Sequence, residues 1–250
     1  MKVLITGNKG FIGRNLCDAL TGKPEIEILP FDKDTDISLL EEYTKQCDFV
    51  YHLAAVHRPH AISEFDSVNR VFFEEVMMLL RKHKNPCPVL LTSSVHAGPD
   101  TDYGKSKLAA EQALKTHSEE MTSRAIIYRL TNTFGRYALP NHHSVVANFC
   151  YNIANNLPVT VNDSERVMHL YYIDDVIVSL LTHLDNQTEP DSDGFFRLPA
   201  DQTYSITLGE LSEILFKFNS SIKDQGVYNI TNVFKRKLFE TFLSYIKLTV

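Results

Sequence analysis

Residues 102–107 read Asp-Tyr-Gly-Lys-Ser-Lys, and two kinds of chemistry could use them. Read from Gly104, the run Gly-Lys-Ser is the end of a phosphate-binding loop, whose backbone amides and lysine hold a polyphosphate. Read from Tyr103, a phenol is followed four residues later by the amine of Lys107. On a helix these two side chains share one face. A nearby ammonium lowers the pKa of the phenol towards the range in which a tyrosine serves as an acid/base catalyst.

The residues before Gly104 disfavour the phosphate-binding loop. Such a loop has four residues between its two glycines, whereas five residues separate Gly98 from Gly104. Pro99 has no backbone N–H to offer a phosphate, and the carboxylates of Asp100 and Asp102 would repel one. The tyrosine interpretation is therefore favoured.

That interpretation depends on context, because a Tyr-x-x-x-Lys spacing is expected about 0.7 times by chance in a chain of this composition. Here the pair opens a predicted helix and follows a predicted strand that ends in Thr-Ser-Ser. The hydroxyl of Ser94 can then hold a substrate oxygen beside the phenol. Ser94, Tyr103 and Lys107 are the candidate catalytic residues.

Short apolar runs that alternate with helical patterns indicate the scaffold that positions these residues. Strands are predicted over 2–6, 25–31, 47–55, 88–94 and 124–130, and helices follow the first glycine turn and cover 67–84 and 104–120. Alternation of this kind is typical of an α/β protein with a doubly wound parallel sheet. We therefore predict such a core over residues 1–131.

Residues 132–250 are less regular and richer in loops. In α/β enzymes the loops outside the carboxyl edge of the sheet hold the substrate, so we predict a smaller, mainly substrate-binding region that partly returns to the core. Thr207 and Glu210 predict a capping box at a helix start. A helical apolar stripe predicts a last helix that docks on its own domain or on another: Phe234, Leu238, Phe242 and Ile246.

Gly7, Gly10 and Gly13 lie between the first predicted strand and the first predicted helix. A tight turn there can require a positive φ, a side chain would keep the backbone away from a pyrophosphate, and the helix must pack closely on the strand. The start of the helix, with Phe11 and Ile12, supplies amide donors and partial positive charge to an anion. A merely structural turn is the alternative. The position favours a dinucleotide-binding Rossmann fold.

Asp32 ends the second predicted strand, where an acidic residue can accept hydrogen bonds from the adenosine ribose. This favours NAD, whereas Lys33 could pair with the additional phosphate of NADP if Asp32 turns away. Asp32 could instead be an exposed residue of an acidic turn. The predicted cofactor is therefore NADP or NAD.

The composition disfavours several classes of protein. A formal charge of −6 makes nucleic acid an unfavourable partner. The N-terminal apolar run is shorter than a signal peptide requires and shorter than the roughly 20 residues of a membrane span, so we predict a cytoplasmic protein without a membrane partner. The four cysteines lie far apart, which indicates buried fillers and not a disulfide framework. The histidines show no ligand spacing such as His-Glu-x-x-His, and no metal is predicted.

A series of motifs occurs in order along nearly the whole chain: Gly7/Gly10/Gly13, HLAA at 52–55, Asn69, Ser94, YGKSK at 103–107, RLTNTFG at 129–135 and YYIDDV at 171–176. Together they resemble the extended short-chain dehydrogenase/reductases, the nucleotide-sugar epimerase/dehydratase group. More narrowly, NKGFIGRNL, HLAAVHRP and TLGELSEILFKF are similar to segments of capsular polysaccharide and O-antigen enzymes. Those enzymes reduce UDP-4-keto-6-deoxy-hexosamines on the route to N-acetyl-L-fucosamine.

The resemblance implies roles for individual residues. Ser94 and Tyr103 would bind the C4 keto oxygen, and Tyr103 would donate the proton as hydride arrives from the nicotinamide. Lys107 would hold the nicotinamide ribose and tune Tyr103. The other implied contacts are Asn69 near that ribose, Leu53, Ala54 and Ala55 beside the cofactor, Asp36 and Ile37 near adenine, and Asn132 and Asn141 at the sugar nucleotide.

The chain departs from the family pattern in two places. Only eight residues separate Ser94 from Tyr103, so the loop over the sugar must differ. The arginine that often contacts the diphosphate falls at Met168. Arg166, two positions earlier on a predicted strand, would point to the same face, and Arg136 is a second candidate.

Two further residues, His57 and Arg58, follow the third predicted strand and are candidates for contact with the sugar. A solvated turn beside Pro59 is the alternative for them, as a surface charge is for Arg136 and Arg166. All four are retained as candidate substrate-binding residues.

The predicted function is an NAD(P)H-dependent reductase that acts on the C4 ketone of a UDP-linked 6-deoxy-hexosamine and forms a homodimer. Related enzymes carry a C-terminal cupin domain for epimerisation, and no such domain is expected within these 250 residues. A nucleotide-sugar 4-epimerase is the alternative. A 4,6-dehydratase would need an Asp-Glu pair where Val95 and His96 stand. A cofactor-binding regulator without catalysis is disfavoured by the intact Ser94, Tyr103 and Lys107.

Overall fold

The computed structural model describes residues 1–57, 59, 61–142, 144–185, 188–223 and 230–246. The chain divides into two compact units. The first unit contains residues 1–130 and 179–197, and the second contains residues 131–178 and 198–250.

The first unit is built on a five-stranded parallel sheet, which confirms the predicted fold class. The strands are β1 (Lys2–Thr6), β2 (Glu27–Phe31), β3 (Phe49–His52), β4 (Val89–Ser94) and β5 (Ala125–Leu130), in the order β2-β1-β3-β4-β5. The helices are α1 (Phe11–Thr21), α2 (Ser38–Gln46), α3 (Ser63–Asp66), α4 (Phe72–Lys82) and α5 (Asp102–Met121). A π-helix, Ser67–Val71, joins α3 to α4.

The other strands and α5 begin within two residues of the expected positions, and two differences affect the candidate site. The third strand ends at His52, so residues 53–55 lie in the loop after it. The helix expected over 67–84 begins as the π-helical segment and continues as α4.

The core of this unit is apolar because its central strands are covered on both faces, as in parallel sheets generally. Val3, Leu4 and Ile5 of β1 are completely buried, and Val89, Leu90 and Leu91 of β4 are at most 1% exposed. The strand order reverses between β1 and β3, and a crevice at the carboxyl ends of such strands is where doubly wound sheets bind ligands. The first glycine and the loop at 53–55 therefore follow the two strands that flank this point.

The second unit contains a three-stranded sheet of β6 (Asn132–Phe134), β7 (Val167–Tyr172) and β8 (Thr203–Thr207). β6 pairs with β7 in parallel, and β7 pairs with β8 antiparallel. Its helices include α6 (Val145–Ala154), α8 (Leu208–Lys223) and α9 (Val233–Leu243), and α7 (Ile173–Asp185) follows β7 directly. A short 3-10 helix covers Ala200–Gln202.

Two local predictions in this unit are confirmed. The hydroxyl of Thr207 accepts from the N–H of Glu210 at 3.2 Å, and the carboxylate of Glu210 accepts from the N–H of Thr207 at 3.0 Å, which is the reciprocal pattern of a capping box. Helix α9 docks within its own unit, with Leu238 and Phe242 completely buried. The helix ends at Leu243, before the last residue of the predicted stripe, Ile246.

Three of the four cysteines, Cys47, Cys87 and Cys150, are buried and free, as expected of apolar fillers, and Cys17 is partly exposed. Within the described ranges, no helix has both the length and the apolar character needed to cross a membrane.

Candidate active site

The glycine turn after β1 is determined by close backbone contacts. Gly7 has a φ of +72°, and a Cβ on it would lie 2.6 Å from the backbone nitrogen of Ala54. A Cβ on Gly13 would lie 2.1 Å from the carbonyl oxygen of Gly7. Both positions require glycine because a Cβ would collide with backbone atoms, which cannot move cheaply, and at Gly7 the positive φ also excludes most side chains. The turn thus brings the end of β1 against the loop at 53–55.

The N-terminus of α1 is suited to an anion. Gly10 is the N-cap residue and has no side chain with which to cap the helix. The first helical turn, with Phe11, Ile12 and Gly13, therefore presents amides that have no intrahelical acceptor. Amides and helix dipole together bind a phosphate group. These features fit the pyrophosphate of a dinucleotide.

Asp32 connects the end of β2 to this turn. Its carboxylate accepts from the N–H of Lys9 at 3.0 Å and from the N–H of Lys33 at 2.8 Å. Asp32 thus holds the glycine turn in place, a role that was not predicted. The side chain of Lys9 pairs with Asp34, and the side chain of Lys33 is exposed.

The residues expected near adenine lie just beyond Asp32. Asp36 accepts from the N–H and the hydroxyl of Ser38, at 3.0 and 2.9 Å, and these hydrogen bonds hold the pKa of its carboxyl below the usual value. Ile37 is 57% exposed, an apolar side chain that a planar base could cover.

Asn69 holds the loop after β3. Its side chain accepts from the N–H of Val56 at 2.8 Å and donates to the carbonyl of Val56 at 3.1 Å. It also donates to the hydroxyl of Ser106 at 3.1 Å, and Ser106 donates to the carbonyl of Tyr103 at 2.8 Å. Asn69 is 3% exposed and lies in the π-helix. The structure therefore uses its amide to link the loop at 53–56 to the first turn of α5.

The three candidate catalytic residues come from one strand end and one helix start. Ser94 ends β4, and Tyr103 and Lys107 lie one turn apart in α5, as predicted. Tyr103 is hydrogen bonded to the side chain of Ser94. The phenol oxygen also lies 3.3 Å from Nε2 of His57, and the two rings are 4.6 Å apart. The structure thus brings Ser94, Tyr103 and His57 together.

Burial dominates the charge states at this site. It raises the pKa of Tyr103 to about 12, opposed by the hydrogen bond with Ser94. Lys107 is 4% exposed and donates to the carbonyl of Thr92 at 3.0 Å. Burial lowers the pKa of Lys107 to about 8, opposed by the negative charge of Glu111. The expected lowering of the Tyr103 pKa is therefore wrong for this arrangement: burial of the phenol raises the pKa, and the group that opposes the rise is Ser94.

Gly104 has a structural role that was not predicted. A Cβ on it would lie 2.7 Å from the carbonyl oxygens of both His96 and Gly98. Its N–H donates to the hydroxyl of Thr101, the N-cap residue of α5, at 2.9 Å. Gly104 thus allows the loop after β4 to pack against the helix start.

The other candidate substrate residues lie in the second unit, except Arg58, which lies outside the described residues. Asn132 begins β6 and is exposed. Arg136 lies 3.6 Å from Asp174 in a pair that is nearly half exposed on both sides. Asn141 has a φ of +64°, and its N–H donates to Asn148 at 2.5 Å.

Arg166 is not on a strand, which corrects the prediction. β7 begins at Val167, and Arg166 is an exposed residue of the preceding turn, whereas Met168 is 8% exposed. The alternation argument that placed both side chains on one face therefore does not apply, because it holds only within a strand.

Glu111, Ser93 and Arg129 also belong to the surroundings of the site and were not predicted. Glu111 is 2% exposed and lies one turn after Lys107. A charged residue at four-residue spacing on the apolar face of α5 was the available signal. In the described parts of the chain, no group of three or more His, Cys, Asp and Glu side chains could hold a metal ion.

Comparisons with known proteins agree with this geometry. The sequence model of the NAD dependent epimerase/dehydratase family matches residues 3–196. A UDP-2-acetamido-2,6-beta-L-arabino-hexul-4-ose reductase from Pseudomonas aeruginosa is 36% identical over 246 residues, which cover 98% of this chain and 65% of the relative. The capsular polysaccharide assembling protein CapF from Staphylococcus aureus superposes with a TM-score of 0.87 at 33% identity, over 100% of this chain and 66% of that chain.

The chain thus spans just under two thirds of the length of these two relatives. A UDP-glucuronic acid 4-epimerase from Bacillus cereus, solved in complex with NAD, has a TM-score of 0.77 at 16% identity, covering 98% of this chain and 96% of that chain. At that identity the likeness shows the fold alone. The match over residues 3–196, the glycine turn and the Ser94–Tyr103–Lys107 arrangement lead to one conclusion: the chain belongs to the NAD dependent epimerase/dehydratase family.

Proposed function

We propose that the chain is an NAD(P)H-dependent reductase of the C4 ketone of a UDP-4-keto-6-deoxy-hexosamine, in the synthesis of a bacterial capsule or O-antigen. One observation carries the proposal. A relative that covers 98% of the chain at 36% identity is named as a reductase of a 4-ketone on a UDP-linked deoxy-hexosamine. The candidate acid of this chain, Tyr103, stands beside Ser94 as ketone reduction requires.

Each candidate residue of the chain has a role in the proposed reaction. A reduced nicotinamide cofactor, when bound, supplies the hydride. Ser94 and Tyr103 hold the ketone oxygen by hydrogen bonds, and Tyr103 gives that oxygen its proton. Because burial raises the pKa of Tyr103 to about 12, the phenol is protonated at neutral pH and can act as the acid. We assign Lys107 to the nicotinamide ribose, and Gly10 with the first turn of α1 to the pyrophosphate.

The candidate sugar-nucleotide residues complete the proposal. His57 lies at the phenol of Tyr103 and is assigned to the sugar. Asn132, Arg136, Asn141, Arg166 and Arg58 are assigned to the UDP-sugar, with the two exposed cations Arg136 and Arg166 as candidates for the diphosphate. These assignments depend on chemistry, since a guanidinium binds phosphate oxygens in a bidentate manner.

We also propose that the protein forms a homodimer in the cytoplasm. Three large apolar side chains of the first unit are exposed along α4, at its N-terminal end, and along α5: Val71 by 44%, Met78 by 52% and Leu108 by 40%. Large apolar side chains exposed on two helices that pack on each other are candidate contacts for a second copy of the chain. The buried free thiols support a reducing compartment.

The test is a reduction assay with a UDP-4-keto-6-deoxy-hexosamine and either NADPH or NADH, followed by the absorbance of the nicotinamide and by identification of the sugar product. We expect stoichiometric oxidation of one cofactor and a 4-hydroxy sugar. Interconversion of 4-hydroxy sugars without net oxidation would instead identify an epimerase. Binding of cofactor and UDP-sugar without turnover of either kind would favour the non-catalytic regulator.

A further inference from the structure

A buried carboxylate, that of Glu111, lies one helical turn after Lys107 and is hydrogen bonded to the residue before Ser94. Glu111 is 2% exposed and accepts from the hydroxyl of Ser93 at 2.5 Å. It also accepts from Nε of Arg129 at 3.0 Å and from Nη2 of the same guanidinium at 2.7 Å. The carboxylate therefore joins α5 to the end of β4 and to β5.

The side chain and the backbone of Arg129 each have a partner in the segment that contains Phe195 and Phe196. Its guanidinium lies 3.7 Å from the centre of the Phe195 ring, and its backbone N–H donates to the carbonyl of Phe196 at 3.2 Å. Two hydrogen bonds from one guanidinium to one carboxylate impose a definite geometry on both groups. The position of Glu111 is thus set from outside α5.

Two neighbours of Glu111 connect it to the proposed catalytic residues. Ser93 directly precedes Ser94 in β4, so the hydrogen bond to Glu111 fixes the strand end that carries Ser94. Lys107 lies one helical turn before Glu111, and the carboxylate favours its charged form against the effect of burial. A buried amine without such a partner tends to lose its proton.

The other titratable groups around Lys107 do not replace Glu111. On β3, His52 is buried, and desolvation lowers its pKa to about 3, so it is neutral where Lys107 titrates. On α5, Tyr103 has a pKa raised to about 12 and is also neutral there. Arg129 on β5 is cationic and offsets part of the charge of Glu111. β4 contributes the carbonyl of Thr92.

We infer that Glu111 is a positioning residue of the proposed reductase: it keeps Lys107 in its cationic form and, through Ser93, holds the end of β4 at which Ser94 stands. The inference rests on the proposed function for its catalytic consequence. The charge coupling between Glu111 and Lys107 does not depend on the substrate.

The charge coupling can be tested with two single variants of opposite sign. Glu111→Gln keeps the shape and an acceptor for Ser93 but removes the negative charge, so Lys107 should lose its proton at lower pH than in the wild type. Arg129→Met leaves the negative charge of Glu111 less compensated, so Lys107 should hold its proton to higher pH. The titration of Lys107 is followed by NMR of 13C-labelled lysine side chains, with the Lys107→Arg spectrum as the assignment. A merely structural disturbance would not move the two midpoints in opposite directions.

The catalytic consequence is read from the pH dependence of kcat/KM. The alkaline limb that begins near the Lys107 pKa of about 8 should move to lower pH in Glu111→Gln, with a loss of about three- to tenfold at pH 8. Ser93→Ala, which keeps all charges, should lower kcat without moving the limb. If either single variant does not fold, the double variant Glu111→Gln/Arg129→Met removes both charges at once and should still lower the Lys107 midpoint.

Unchanged Lys107 midpoints in all the folded variants would overturn the inference. Opposite shifts in the single variants, in a protein that reduces none of the tested UDP-sugars, would support the coupling and refute the proposed function. An unmoved alkaline limb despite shifted midpoints would show that Lys107 does not act as a cation in the reaction and would overturn the catalytic part.

Discussion

The candidate catalytic side chains and the candidate substrate-binding side chains differ in how far they are buried. In the first unit, Ser94 and Lys107 are 6% and 4% exposed, and each is surrounded by backbone or buried partners. In the second unit, Arg136 and Arg166 are exposed. Side chains that move a proton need a fixed environment, because their pKa depends on it, whereas charges that bind a flexible diphosphate can remain solvated until it arrives. We therefore expect substitutions at the catalytic positions of the first unit to alter kcat and the free energy of unfolding. Substitutions at the exposed arginines of the second unit should alter KM for the UDP-sugar.

Tyr103→Phe should have the largest effect. The ring keeps its contacts with His57 and Phe65, but the proton donor is lost, and kcat should fall by about 10²- to 10⁴-fold. Tyr43→Phe, at a partly buried position of the same unit, is the matched control and should keep full activity. A fully active Tyr103→Phe would remove Tyr103 from the mechanism.

Gly13→Ala should strongly destabilise the first unit. Its Cβ would lie 2.1 Å from the carbonyl oxygen of Gly7, so the free energy of unfolding should fall by about 3 kcal/mol, the upper part of the usual range for overpacking. Gly22→Ala, where a Cβ would meet nothing within 4 Å, is the control and should be nearly neutral. Urea unfolding measures both, and equal effects would show that the glycine turn is not packed as described.

Lys107→Met should abolish efficient reduction and yet stabilise the fold. Burial lowers the Lys107 pKa from 10.5 to about 8. At neutral pH this shift lowers the free energy of unfolding by an amount on the order of 3 kcal/mol. Since the folded-state pKa lies below the unfolded one, the unfolding free energy of the wild type should rise between about pH 8 and 10.5. That rise should be missing in Lys107→Met.

The control for this variant is Lys105→Met. The side chain of Lys105 is 62% exposed, and its Nζ lies 3.7 Å from Oδ1 of Asp102. The free energy of unfolding should therefore stay within about 0.5 kcal/mol of the wild-type value. The activity should be unchanged. A Lys107→Met protein that is less stable than Lys105→Met would show that the buried ammonium contributes more through Thr92 than it costs.

Arg136→Met should have the smallest effect on stability and should affect binding alone. Its pair with Asp174 is exposed on both sides, so the unfolding free energy should change by less than about 0.5 kcal/mol. KM for the UDP-sugar should rise by about tenfold with kcat unchanged if Arg136 binds the diphosphate. Arg166→Met tests the second candidate, and the exposed Arg236→Met is the control. A fall in kcat without a change in KM would contradict the division between the units.

Features set by neighbours along the chain could be predicted from the sequence. The glycine turn, the pair Tyr103 and Lys107, and the capping box at Thr207 each depend on spacings within a few residues. The parallel sheet follows from alternating apolar runs. These periodicities are properties of single helices and strands.

Features that depend on distant pairing could not be predicted. Glu111 pairs with Arg129, and the sequence alone does not show that α5 faces β5 at that point. The pKa of Tyr103 depends on how deeply the phenol is buried, which no local spacing reveals. Arg166 was misplaced because strand boundaries depend on pairing partners, here the antiparallel register of Val167 with Thr207.

The π-helix at Ser67–Val71 makes chain length itself a constraint. A π-helical turn holds one residue more than an α-helical turn. Inserting one further residue between Asn69 and the completely buried Phe73 would turn the Asn69 side chain by about 100° around the helix axis relative to Phe73. The amide would then lose both its bonds to Val56 and its bond to Ser106. We therefore expect this segment to accept changes of residue type at its exposed positions more readily than the insertion of a single residue.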